Sequence, residues 1–222
     1  MTTALKKTLK YLGLAIAIIG ITVTTAIITH NKIYADCGLT DYNYMIYRDR
    51  TELALDGCRD AIVTEIDHYI DSVAADSGLN GIKLFELCDK YDVDVRFAMA
   101  QAEAESHFGT TGMAAKTNVV WNVKAYDGRS AEDMKRKGDD APHPDMSIEP
   151  YLKLLTTSYL VDGKTELDMF DKFVDVNGKR YASNPNYENL VESIYNRINE
   201  CTKLDPLLKE YRKLQRRLVY GA

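Results

Sequence analysis

Proline is scarce in this chain of 222 residues, five in all, and no stretch repeats itself or is of low complexity. With 45% hydrophobic and 27% charged residues the composition is that of an ordinary globular protein, so disorder does not describe most of it. The length suits one compact domain with appendages. Cysteine is limited to Cys37, Cys58, Cys88 and Cys201, with no Cys-x-x-Cys pair and no Cys/His cluster. No metal centre or other cofactor is therefore expected. The four histidines offer no legible Ser/His/Asp or Cys/His arrangement, which disfavours an amidase or a peptidase. Basic residues are in deficit as well, 28 against 33 acidic ones. Beyond residue 35 the balance is 24 to 33, a net of −9, and such a body is not expected to bind nucleic acid.

What is present begins with an uncharged run from Tyr11 to Thr29, preceded by Lys6, Lys7 and Lys10 and followed by His30, Asn31 and Lys32. As a helix rising about 1.5 Å per residue it would be roughly 28 Å long, just enough to cross a hydrocarbon core of about 30 Å. The lysines favour a cytoplasmic N-terminus with the remainder exported. Two forms of this expectation stand side by side. Residues 11–29 anchor the chain in a membrane, or they belong to a signal peptide cut after Ala35. The run is rich in Gly, Ala and Thr, and in composition it is similar to the N-terminal segments of phage endolysins of the signal-arrest-release kind. All four cysteines lie beyond it, so two disulfides are permitted in an exported chain, with unpaired buried thiols as the alternative.

Helical periodicity dominates the rest. From Tyr42 to Ala75, Ile62, Ile66, Tyr69, Ile70 and Val73 form one apolar stripe between acidic residues. Residues 36–78 are accordingly expected to be a helical stalk packed on a main domain at residues 79–201. Helices are expected at Ile82–Lys90, Val95–Ser106, Ser147–Tyr159 and Asn186–Ile198, and a basic one at Pro206–Tyr220 within the C-terminal segment 202–222. That last helix carries both a cationic face and a regular apolar stripe, so it suits an anionic surface or ordinary packing. Between Phe108 and Asp145 glycines punctuate the pattern, and Val119–Val123 reads as a strand of a small hairpin in an irregular lobe.

Two acids stand out on the Val95–Ser106 helix. Glu103 and Glu105 are about 200° apart around the axis, so they point in different directions, and spacing alone does not choose between them. Glu105 ends the apolar helix just before a glycine-containing loop, where a cleft can open. A carboxyl held in such a place has its pKa raised, as the acid of a glycosidase requires.

The segment Ala100-Gln101-Ala102-Glu103-Ala104-Glu105-Ser106-His107-Phe108-Gly109 resembles the Ala-Gln-Ala-x-x-Glu-Ser-x-x-Gly signature of the glucosaminidase family of peptidoglycan hydrolases. Asn118-Val119-Val120-Trp121-Asn122-Val123-Lys124 is similar to that family's Asn-Asn-x-Phe-Gly-Ile-Lys segment. Tyr181-Ala182-Ser183-Asn184-Pro185-Asn186-Tyr187 resembles its Tyr-Ala-Thr-Asp-Pro-x-Tyr segment, and Ser147 to Tyr159 occupies the place of its Ser-x-x-x-Tyr helix. Val119, Asn122, Ser183 and Asn184 depart from the pattern.

The resemblance implies a mainly α-helical, lysozyme-like domain acting on peptidoglycan glycan strands without a cofactor. It makes Glu105 the catalytic acid and Tyr181 the cleft tyrosine, with Asn118, Trp121 and Tyr187 lining or supporting a sugar groove; Trp121 suits core packing equally well. Asp139 and Asp140 lie closest to the position of a second carboxylate, unless the substrate's N-acetyl group takes that part. A lytic transglycosylase on a related fold, and a wall-binding module without activity, remain as alternatives.

Overall fold

A computed structural model describes residues 40–126 and 128–220. Tyr11–Thr29, Ala35 and Cys37 lie outside the described residues, and with them the expected anchor or signal peptide. Among the described residues no helix is long and apolar enough to cross a membrane. These residues fall into two units, Thr40–Ala54 with Arg217–Tyr220, and Leu55–Arg216. In the smaller unit Arg48 pairs with Glu52 one helical turn away, and Thr51 is buried.

The larger unit holds the core. It is entered by the second half of α1 (Thr40–Val73), followed by α2 (Gly81–Tyr91), α3 (Val95–Ser106), α4 (Ala114–Thr117), α5 (Ala131–Lys137) and a 3-10 turn at Pro144–Ser147. Then come α6 (Ile148–Ser158), α7 (Glu166–Asp171), α8 (Tyr187–Cys201) and α9 (Leu204–Tyr220). Helix α3 lies at the centre, with Phe97, Ala98, Met99, Ala100 and Ala102 fully buried. Ile62, Ile66 and Ile70 of α1, Leu84 of α2, Tyr151 and Leu152 of α6, and Val191 and Ile198 of α8 share one core with it.

The ends of α3 explain its length. Asp94 caps the start by accepting from the Arg96 N–H, which satisfies one of the donors a first turn leaves free. His107 and Phe108 take φ of 53° and 55°, and the Phe108 N–H returns to the Ala102 carbonyl, closing the helix. Ser77 donates to the Phe108 carbonyl and holds that turn against the segment after α1.

The expected strand at Val119–Val123 is corrected. Asn118, Asn122 and Lys124 have φ of 56°, 50° and 66°, and left-handed residues at this spacing cannot lie in a strand. The segment is a tight turn in which the Asn122 N–H bonds the Val119 carbonyl. Its apolar residues are buried for another reason. Val119 packs with Met134 and Ala141 in a small satellite core, while Val120 and Trp121 join the main one. Among the described residues no β-hairpin forms in this lobe, and α4 and α5 take its place; one antiparallel bridge, Val174 to Arg180, lies elsewhere. Cys58, Cys88 and Cys201 are free thiols.

Candidate active site

The buried helix α3 carries three polar side chains that must find partners inside, Gln101, Glu103 and Ser106. Glu103 accepts from Tyr69 of α1 at 2.9 Å and pairs with Arg197 of α8, so it ties three helices together. Glu105, partly buried, faces elsewhere. The 200° between the two positions places them on different sides of α3, and only Glu105 keeps company with the segments that resemble the family's other landmarks.

Its surroundings come from four places in the chain. The Tyr187 hydroxyl, at the start of α8, donates to Glu105 Oε1 at 2.5 Å. Asn122, in the turn after α4, donates from Nδ2 to Glu105 Oε2 at 3.1 Å and to the Glu105 backbone carbonyl at 2.9 Å. Gln101, one turn before Glu105 on the same face of α3, donates from Nε2 to the Tyr187 oxygen at 3.1 Å. The Tyr151 hydroxyl of α6 donates in turn to Gln101 Oε1. A directed chain of donors thus runs from Tyr151 through Gln101 and Tyr187 to one oxygen of Glu105.

Burial pushes the Glu105 carboxyl above the usual carboxylate range, while the hydrogen bonds from Tyr187 and Asn122, which favour the charged form, work against it. Burial wins. Ser106, beside it, donates to the Val120 carbonyl at 2.6 Å and accepts from the Gly109 N–H. That pair sews the Asn118–Lys124 turn to the end of α3 and brings Asn122 to the acid.

The other sequence-derived residues divide. Tyr181 donates to the Trp121 carbonyl at 3.2 Å, and its ring stacks on Phe173 at 4.6 Å and on Tyr187 at 5.7 Å. Burial raises its pKa well above the ordinary tyrosine value, with the Glu105 charge adding to this. Trp121 is 1% exposed, stacked on Tyr151 at 4.6 Å, and donates from Nε1 to the Ala98 carbonyl, so it packs in the core. Asn118 is the left-handed end of α4 and donates to the Ala141 and Pro142 carbonyls, bracing the lobe.

Asp139 has both oxygens engaged, by Lys124 at 2.7 Å and Arg129 at 2.6 Å, and these partners hold its carboxyl below the usual range. Asp140, next to it, has no ion pair among the described residues. Three residues of the assembly were not singled out from sequence: Gln101, Tyr151 and Asn122. Gln101 had a signal, being the one amide in an otherwise apolar stretch of α3. Asn122 registered only as a departure from a motif.

One concavity of about 450 Å³ lies beside Arg96, Asp205 and Arg212, and another of about 570 Å³ in the small lobe beside Lys124, Arg129 and Asp139. Glu105 lines neither. Among the described residues no cluster of His, Cys, Asp and Glu could hold a metal ion.

The family described as Glucosaminidase: Mannosyl-glycoprotein endo-beta-N-acetylglucosaminidase matches residues 83–200, which contain α3, the Asn118–Lys124 turn, α6 and nearly all of α8. No curated protein and no solved structure matches the chain.

Proposed function

Because the chain belongs to the glucosaminidase family, we propose that it is a peptidoglycan hydrolase, an endo-β-N-acetylglucosaminidase that cleaves the β-1,4 glycan linkage with Glu105 as general acid. The observation that carries the reading is the raised Glu105 carboxyl between Tyr187 and Asn122. A glycosidic oxygen is a poor leaving group until protonated. An acid with its pKa lifted by burial keeps its proton to higher pH than an exposed carboxyl does, and a positioned general acid contributes about 10²–10⁴-fold. Glu105 delivers that proton to the leaving oxygen.

In this reading Tyr181 and Tyr187 form an aromatic wall next to the acid, and Tyr187 holds the carboxyl in place. For the opposite face of the sugar the lobe offers Asp139 and Asp140. The oxygens of Asp139 are occupied by Lys124 and Arg129, so the open carboxylate is Asp140. Asp140 is assigned to activate the attacking water, a route that inverts the anomeric centre, whereas the substrate's N-acetyl group in that part would retain it. The glycan is read as lying outside the cytoplasm, reached through the apolar N-terminal run acting as an anchor at a membrane or as a signal peptide.

The test is digestion of purified peptidoglycan by the full-length protein, with mass spectrometry of the fragments and NMR of the fresh anomeric centre. Inverted, reducing N-acetylglucosamine ends are expected. A retained anomer would move the second role from Asp140 to the substrate's N-acetyl group. Anhydro-muramic ends would make the protein a lytic transglycosylase, and binding without release would leave a wall-binding module.

A further inference from the structure

Resting on Glu105 as the acid, we infer that Asn122 is a positioning residue that, together with the Tyr151–Gln101–Tyr187 donor chain, assigns the transferable proton to Oε2 of Glu105. Three features of Asn122 carry this. Its Nδ2 reaches both the backbone carbonyl and Oε2 of Glu105, so a single amide group fixes the side chain relative to its own helix end. Its backbone sits at φ 50°, a conformation that costs a residue with a side chain more than glycine. Its Oδ1 is buried with no hydrogen-bond partner. A strained backbone and an orphaned acceptor at one position are expected where the residue serves a site at some expense to stability.

The proton assignment follows from the direction of the donors and their distances. The Tyr151 hydroxyl gives its one hydrogen to Gln101 Oε1, which sets the Gln101 amide with Nε2 toward Tyr187. Tyr187 accepts there, so its own hydrogen goes to Glu105 Oε1. Both oxygens accept, Oε1 from Tyr187 at 2.5 Å and Oε2 from Asn122 at 3.1 Å, and the hydroxyl oxygen of a carboxylic acid is the poorer acceptor, so the shorter bond marks Oε1 as the carbonyl oxygen and the proton resides on Oε2. Oε2 accepts from Asn122 through one lone pair and carries the proton on its other side. The amide thus turns the acidic O–H away from the turn, and no rotation of the carboxyl is needed before transfer.

The titratable groups that face Glu105 are Tyr187 on α8, Tyr181 before it and Tyr151 on α6, each with its pKa well above the ordinary value. None of them changes charge over the range in which a carboxyl titrates. Glu103, on its own helix, is turned away to Arg197. The NMR midpoint and the alkaline limb of activity accordingly report Glu105 and its two donors, while the acidic limb belongs to the base.

The experiment compares wild type, Asn122→Gly and Glu105→Gln as full-length proteins. The pH dependence of fragment release is followed, and the Glu105 carboxyl is titrated by NMR of glutamate labelled with 13C at the carboxyl, assigned by its absence from Glu105→Gln. Glycine accepts the left-handed φ, so the fold is expected to survive, with a melting temperature close to wild type. Loss of the Nδ2 donor removes a bond to the charged form. Both the NMR midpoint and the alkaline limb of kcat/KM then move to higher pH, and kcat at the pH optimum falls roughly ten- to a hundredfold with a smaller change in KM.

Asn122→Asp, which keeps the shape but puts a carboxylate beside Oε2, moves the midpoint up as well and covers the case of a glycine variant that does not fold. An unmoved midpoint in these variants, with or without lost stability, overturns the inference and makes Asn122 a structural residue only. Should Glu105→Gln still release fragments, the assignment of the acid fails instead, and the NMR midpoint alone separates that failure from this one.

Discussion

Glu103 and Glu105 are separated by one residue and by two different kinds of chemistry. Glu103 is compensated by a cation and a phenol, and a buried charge so paired holds helices together without being free to transfer a proton. Glu105 meets only neutral donors, so desolvation dominates and its proton is retained to higher pH. The same balance predicts the behaviour of Tyr187→Phe. Removing the hydroxyl deletes a bond that favours the charged form, so the Glu105 pKa rises further and the alkaline limb of activity moves up. The sign extends to stability. A carboxyl raised in the folded state gives stability that is complete below its unfolded value and is lost as pH rises through the folded value. Tyr187→Phe is therefore expected to lose more stability at neutral pH than at acidic pH, measured by urea denaturation at both; a larger loss at acidic pH would contradict the account.

At the scale of elements the site depends on how the ends of helices are tied. Gly81 opens α2 against α1, and its N–H donates to Asp67 Oδ1 at 2.8 Å. A Cβ at this position would lie 2.3 Å from that oxygen and 3.1 Å from Ile66 Cγ2. Gly81→Ala is expected to destabilise the fold by about 1–3 kcal/mol, the usual cost of overpacking, as read from the midpoint of urea unfolding. An unchanged midpoint would mean that α1 and α2 are not held at this joint.

Elements of this type were legible because burial follows a period of 3.6. Val95–Ser106 has the same limits in sequence and structure, marked by Asp94 before and the turn at His107 after. The Val119–Val123 segment was not legible. A run of β-branched and aromatic residues announces burial, and burial in a turn looks the same as burial in a strand until the left-handed residues that bracket it are known. The short helices α4, α5 and α7, of four, seven and six residues, are too brief to show a period at all. In the site, Glu105, Tyr181 and Tyr187 could be named from motifs, but the donor chain joins residues 50 and 86 positions apart, and no local pattern encodes that pairing.

At the scale of the molecule, the larger unit is a helical body around α3 in which the proposed acid faces away from the Glu103 ion pair. The chain's net negative charge beyond residue 35 disfavours nucleic acid and leaves an uncharged sugar as a compatible partner. The account makes a demand on two neighbouring glutamates that no account based on general surface acidity would make. Glu105→Gln and Glu103→Gln, each in the full-length protein, are compared with wild type for release of soluble sugars from purified peptidoglycan, normalised to folded protein. The account predicts that Glu105→Gln loses at least about a hundredfold in rate while remaining folded, and that Glu103→Gln loses stability but keeps its rate per folded molecule. Release by Glu105→Gln at the wild-type rate, or its abolition in a folded Glu103→Gln alone, would contradict the assignment of the acid.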